Sequence, residues 1–188
     1  MRARISSACG RRAKRWRGES DGASPYRANG EGGLRVRHSV TRVLPYQPRQ
    51  LFEMVGDVES YPQFVPWITG MRVWNRRDDE AGGGSLDAEA AVQFAVLKER
   101  FSTRVRRDAA AGEITVSLIS GPFQHLVNRW RFRDDPEGTR VDFQIDFEFK
   151  SKTLTKLLSA NFHHAVERLM QCFEGRAREL YGARGGGA

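Results

Sequence analysis

The stretch Val141-Asp-Phe-Gln-Ile-Asp-Phe-Glu-Phe149 limits the folds open to this chain more than any other. In an extended backbone Val141, Phe143, Ile145, Phe147 and Phe149 point one way, and Asp142, Gln144, Asp146 and Glu148 point the other. A helix would scatter both sets around its circumference, so this is a strand with one dry and one wet face. Just upstream, Leu126, Asn128, Trp130 and Phe132 alternate with Val127, Arg129, Arg131 and Arg133. Between the two runs, Asp135-Pro-Glu-Gly138 has Pro second and Gly fourth, the order of a tight turn. Closing that hairpin sets Trp130 beside Phe143 on the dry face and Arg131 beside Asp142 on the wet face.

The remaining pattern extends this sheet. Leu34, Val36, His38 and Val40 alternate with polar neighbours until Pro45 and Pro48 end the run. Pro48–Gly56 reads as a short helix with Leu51, Phe52 and Val55 on one side, and Asp57–Trp67 as a second helical piece broken by Pro62 and Pro66. Strands are expected over 69–77, 86–97, 99–107, 112–120, 126–134 and 139–150. From Thr153 to Tyr181, Leu154, Leu158, Phe162, Val166, Leu169/Met170, Phe173, Ala177 and Leu180 recur at three- and four-residue steps, and Gly182 supplies a stop. The expected class is α+β: a curved antiparallel sheet of about seven strands gripping one long C-terminal helix, with two short helices closing an end.

Charge divides the chain. The formal net charge is +8, but residues 1–37 hold ten Lys/Arg against three Asp/Glu, which leaves the rest close to neutral. A basic nucleic-acid-binding domain is therefore disfavoured, and DNA is not an expected partner. Residues 1–33 are Arg-, Ser- and Gly-rich without apolar period and are expected to lack structure, as are residues 183–188; the domain is expected over 34–182. The tail reads as a transit peptide, a basic arm for anionic lipid or RNA, or sequence foreign to the native chain. The expected location is mitochondrial under the first reading. Otherwise it is the cytoplasm, with peripheral contact at the inner membrane. No run reaches the ~18 apolar residues of a membrane helix. Cys9 and Cys172 make no disulfide framework and are expected to stay reduced.

Asp57-Val-Glu-Ser-Tyr-Pro-Gln-Phe-Val-Pro-Trp67, Ser120-Gly-Pro-Phe123 leading into Asn128-Arg-Trp-Arg-Phe132, Val141–Ser151 and Cys172-Phe-Glu-Gly-Arg-Ala177 together carry a resemblance. Over residues 36–181 the chain resembles the START-like helix-grip superfamily of polyketide cyclases and lipid-transport proteins. Within it, the chain is similar to the branch of coenzyme Q-binding proteins and ribosome association toxins. The resemblance implies a ligand tunnel, ubiquinone or a similar isoprenoid lipid as ligand, no required cofactor, and transient membrane contact or the large ribosomal subunit as partner. A polyketide cyclase or aromatase is the third implied function.

Under that reading the candidate ligand-binding residues are Phe64, Trp67, Val92, Phe94, Phe123, Leu126, Trp130, Phe143, Phe147, Leu158, Phe162, Val166 and Met170. The same side chains would also serve as ordinary core. Tyr61, Pro62 and Pro66 form either a rim or lid over the pocket or a rigid corner. Arg104, Arg106, Arg129 and Arg131, with Arg133, are candidates for contact with phospholipid headgroups or ribosomal RNA, opposed by Asp142, Asp146 and Glu148 on the same face. No metal-ligand spacing joins His38, His125, His163 and His164, no nucleophile elbow or phosphate loop is present, and no catalytic residue is assigned. Interior polar candidates reduce to Asn128, His125 and His38. The chain reads as a binder rather than an enzyme.

Overall fold

The computed structural model describes residues 26–28, 34–94, 97–151, 153–154 and 162–182. Eight antiparallel strands form one sheet: β1 (Tyr26–Ala28), β2 (Leu34–Leu44), β3 (Ile68–Asp78), β4 (Gly84–Phe94), β5 (Leu97–Asp108), β6 (Glu113–Ser120), β7 (Phe123–Asp135) and β8 (Gly138–Phe149). Their order is β1-β2-β8-β7-β6-β5-β4-β3. β3 to β8 run as an uninterrupted meander. The one long connection leads from β2, near one edge, to β3 at the other. It carries α1 (Pro48–Gly56), a 3-10 turn (Val58–Ser60) and the single-turn α2 (Tyr61–Phe64). The long helix α3 (Phe162–Tyr181) follows β8.

The hairpin register matches expectation, with Trp130 opposite Phe143 and Arg131 opposite Asp142. Gly138 sits at φ 133° at the hairpin tip, and a Cβ there would lie 2.2 Å from the Leu44 carbonyl oxygen, so only glycine lets the tip close against β2. Thr139 is fully buried beside it and donates its hydroxyl to the Tyr46 carbonyl.

α1 starts with Pro48 in its first turn, and the Gln50 side chain accepts the Gln47 backbone N–H. It buries Leu51, Phe52, Met54 and Val55 against β6, β7 and β8. α3 buries Val166, Met170, Cys172, Phe173 and Ala177.

Two expectations need correction. Tyr26–Ala28, assigned above to the structureless tail, pair with Leu34–Val36 as β1, because the free edge of β2 offers backbone donors and acceptors to any nearby segment. Leu180 is 47% exposed. In the last turn Tyr181 takes the inward position instead, donating its hydroxyl to the Gln50 carbonyl at 2.9 Å. The Leu158 part of the predicted helix lies outside the described residues. Among the described residues no helix is long and apolar enough to cross a membrane.

Candidate functional site: an apolar cavity between two core clusters

The inward side chains form two clusters. The larger joins α1, α3 and the hairpin end of the sheet through Leu51, Phe52, Trp130, Phe132, Phe143 and Phe173. The smaller gathers Val36, Leu126, Phe147 and Phe149, with Phe101, Phe123 and Phe162 packed against it. Between them lies a cavity of about 300 Å³ whose wall takes residues from both.

Stacked and tilted rings stiffen the wall. Phe123 stacks on Phe149 with centroids 4.6 Å apart, and Phe147 meets Phe162 at 4.7 Å. Trp130, a member of the larger cluster that also lines the cavity, lies 4.5 Å from Phe143 and 5.0 Å from Phe173. Such pairs are specific in geometry, so the wall holds its shape. Gly121, at φ 141°, brings Phe123 into place: a Cβ at Gly121 would come within 2.5 Å of Phe101.

Of the candidates named from sequence, the cavity wall contains Trp67, Val92, Phe123, Leu126, Trp130, Phe143, Phe147, Phe162 and Val166. Leu158 and the Phe94 side chain lie outside the described residues. Two candidates are placed elsewhere. Phe64 packs on Tyr61 and Phe173, with the Arg176 guanidinium 5.6 Å over its ring, and so braces α2 against α3. Met170 points to the α1 side of the larger cluster, next to Leu51 and Met54. Both face the sheet's concave side, and the period of a helix does not say which filled or empty volume a side chain meets.

The sequence reading missed Ile68, Met71, Ala88, Ala90, Phe101, Val105, Val116, Ile145 and Leu169, all in the wall. Alternation along β3 to β8 was the available signal for the strand residues, and the three- and four-residue steps of α3 for Leu169. Tyr61 is itself a wall residue rather than only a rim. Its hydroxyl donates to the Val55 carbonyl at 2.7 Å, and burial pushes its pKa up. Pro62 and Pro66 are exposed, flanking the fully buried Val65. The corner is tied down by Arg176 donating to Gln63 and by Gln93 N–H donating to the Trp67 carbonyl.

Polar groups are distributed unevenly. Asn128 and Thr103 are wall residues, and the Thr103 hydroxyl donates to the Ala88 carbonyl. His125 is on the opposite face of the sheet, where it meets an Arg35 nitrogen at 3.0 Å. His38 faces inward on β2 but lies against Phe162 and His163, outside the wall. Burial, and then His163, lower its pKa. Among the described residues, no three His, Cys, Asp or Glu side chains come together as a metal site.

On the convex face most of the arginine stripe is internally paired. Arg104 makes two bonds to Asp87, at 2.8 and 3.0 Å. Arg129 and Arg131 share Glu113 at 3.0 and 2.8 Å. Arg133 and Arg140 reach Asp142, and Arg35 and Arg37 reach Asp146. Arg131 stands opposite Asp142 as expected, yet its ion partner is Glu113, its cross-strand neighbour on β6. Asp142 is occupied by Thr41 and two other arginines. Hydrogen bonds from Arg104 and then Asn75 hold Asp87 below the usual carboxylate range, and Arg131 does the same for Glu113. Arg77 and Arg106, lining an open depression beside β3 to β5, have no ion partner among the described residues.

Known proteins share this architecture. The chain is 36% identical over 143 residues to a ribosome association toxin RatA of Rickettsia prowazekii, covering 74% of this chain and 94% of that one. It is 30% identical over 155 residues to a mitochondrial coenzyme Q-binding protein homolog of Xenopus laevis, covering 80% of this chain and 62% of that one. The solution structure of an 18 kDa Caulobacter crescentus protein matches with a TM-score of 0.67 and 57% identity, over 78% of this chain and 99% of that one. An aromatase/cyclase from a Streptomyces species matches in fold, with a TM-score of 0.64 at 17% identity, over 81% of this chain and 98% of that one. Residues 44–174 match the family described as polyketide cyclase/dehydrase and lipid transport. With well over half its length matched, a curved sheet gripping a terminal helix and a hollow between them, the chain belongs to that family.

Proposed function

We propose that the protein is a non-catalytic carrier that holds a hydrophobic prenylated lipid, by family a quinone of the ubiquinone type, in the cavity between its two core clusters, in support of respiratory electron transport. The observation that carries this reading is the apolar void itself. Its wall is mostly aromatic and aliphatic, with Asn128 and Thr103 among the lining, and a concave volume of about 300 Å³ is at the lower end of small-molecule sites. A heavy atom with its hydrogens takes roughly the 20–30 Å³ of a liquid water, so about ten to fifteen heavy atoms fit. That suits a ring head group and a short length of tail, with the rest of a long tail leaving through the mouth. Each buried methylene contributes about 0.8 kcal/mol, so affinity needs no ionic partner.

The test is organic extraction of gently purified protein followed by mass spectrometry, together with quinone titration of Trp67 and Trp130 fluorescence. A co-extracted isoprenoid quinone and saturable quenching are expected. An extract free of apolar ligand, with no quenching, overturns the reading.

A second reading is association with the large ribosomal subunit. The name of the relative at 36% identity favours it, and so do Arg77 and Arg106, which make no ion pair among the described residues. Adding protein to ribosomes and sedimenting them discriminates: a shift from joined to separate subunits that Arg77→Glu/Arg106→Glu abolishes supports it. Unchanged profiles dismiss it.

A further inference from the structure

One row of inward side chains crosses the concave face from β2 to β4: His38, Ile145, Asn128, Val116, Val105 and Leu86, each paired with the next across neighbouring strands. Asn128 is the polar member at its middle. Ile145 and Val116 flank it across the strands, and Leu126 and Trp130 sit on either side of it along β7. It is in the cavity wall, its Oδ1 is buried with no hydrogen-bond partner, and its amide bonds to none of the described residues. Leaving a buried amide oxygen unpaired is costly where an apolar side chain of similar size would cost nothing, so a site of this kind calls for a partner. The space next to it is the cavity.

We propose that Asn128 is the specificity-determining residue of this cavity, hydrogen-bonding the oxygen-bearing end of an otherwise apolar ligand. The proposal rests on the cavity-binding reading above and deepens it. A side-chain amide donates to a carbonyl through Nδ2 and accepts from a phenolic hydroxyl through Oδ1, and it rotates to present either. The other polar side chain of the wall beside the Tyr61 phenol, Thr103, turns its hydroxyl to the Ala88 carbonyl, so Asn128 is the group left to fix the ligand's oxygen at mid-sheet, with the hydrocarbon along Leu126, Phe147 and Phe162. His38, also unpartnered at Nε2, does not share this role: it stands two strands away, about 10 Å along the row, and its ring packs on Phe162 and His163 outside the wall.

The experiment compares two probes of one shape, 1,4-naphthoquinone and naphthalene, by equilibrium dialysis against the full chain and its Asn128→Leu variant. The preference for quinone over hydrocarbon is expected to fall about three- to tenfold in the variant, the worth of one hydrogen bond, while naphthalene affinity is kept. The variant's Tm is expected to equal or exceed that of the parent. A second readout needs no variant: the infrared carbonyl stretch of bound 1,4-naphthoquinone moves to lower frequency than in hydrocarbon solvent. Both probes binding with an unchanged ratio, or an unshifted stretch, overturns the anchor and leaves the carrier reading standing. Neither probe binding the parent protein overturns both.

Discussion

The concave face of the sheet receives the same kind of side chain along its whole length, and its two halves end in different states. Toward the β7–β8 turn, Phe132, Val141 and Phe143 meet Leu51, Phe52 and Met54 of α1, and the volume is filled. Toward the other end, Leu126, Phe147 and Phe149 meet Phe123, Phe101 and Phe162, and about 300 Å³ stays open next to them. The strands supply apolar side chains to both halves by simple alternation. What differs is the cover. α1 lies over one half with four buried apolar side chains, whereas Tyr61 and Trp67 of the proline-broken corner and Phe162, Val166 and Leu169 of α3 border the cavity in the other. Among the described residues the sheet is packed at one end and borders a cavity at the other.

The comparison is sharpest in stability. Phe132 is 4% exposed and its ring meets Phe52 edge-on at 6.1 Å, so Phe132→Ala should cost about 3–5 kcal/mol. Ile145→Val, at the cavity wall, should cost about 0.5 kcal/mol or less, the bottom of the range for that deletion, because the methyl it removes already borders empty space. Urea unfolding with an unchanged slope measures both. Equal costs at the two positions would mean that the hollow half is packed in solution.

Filling the void separates stability from binding. Ala90 is 8% exposed, points inward from β4 and stands opposite Phe101. Ala90→Phe places a ring into the open volume. Stability should stay within about 1.5 kcal/mol of the parent, since the ring fills space rather than displacing packed neighbours. Quinone quenching of Trp130 should weaken by about tenfold or more, from loss of buried apolar area. Undiminished quenching would put the ligand elsewhere.

The same contrast shows how far the residues alone could be read. Period-2 alternation located every strand of the meander, and the Asp135–Gly138 turn fixed the register that sets Trp130 against Phe143. Neither depends on the rest of the chain, because both follow from backbone geometry within a few residues. The partition of inward residues between filled and empty volume was not legible. Phe64 and Phe123 are alike as sequence, yet one braces α2 and the other walls the cavity, and that choice is made by tertiary packing. Arg131 shows the same limit on the wet face, where its register neighbour Asp142 loses to Glu113. β1 was missed because three residues carry no period and owe their structure to the β2 edge.

The smallest expected effect probes the convex face, away from the cavity. Asp87 is 3% exposed beneath the β3 bulge, where Asn75 adopts φ 52° and donates to Oδ2 at 2.9 Å while Arg104 holds both oxygens. These donors lower its folded pKa below the unfolded value of about 3.9. The folded state therefore binds fewer protons than the unfolded chain in the window between those two values. The contribution of Asp87 is fully present above about pH 4 and is lost as pH falls through the depressed folded pKa. Asp87→Asn removes the titration, so parent and variant should differ most near pH 6–7 and converge toward pH 2 in urea unfolding. Naphthoquinone binding should not change between them at pH 7, because Asp87 and the cavity lie on opposite faces of the sheet. A stability difference that is constant from pH 7 to pH 2 would show that Arg104 and Asn75 do not hold the carboxylate in solution. A change in binding would show that the two faces are coupled through β4.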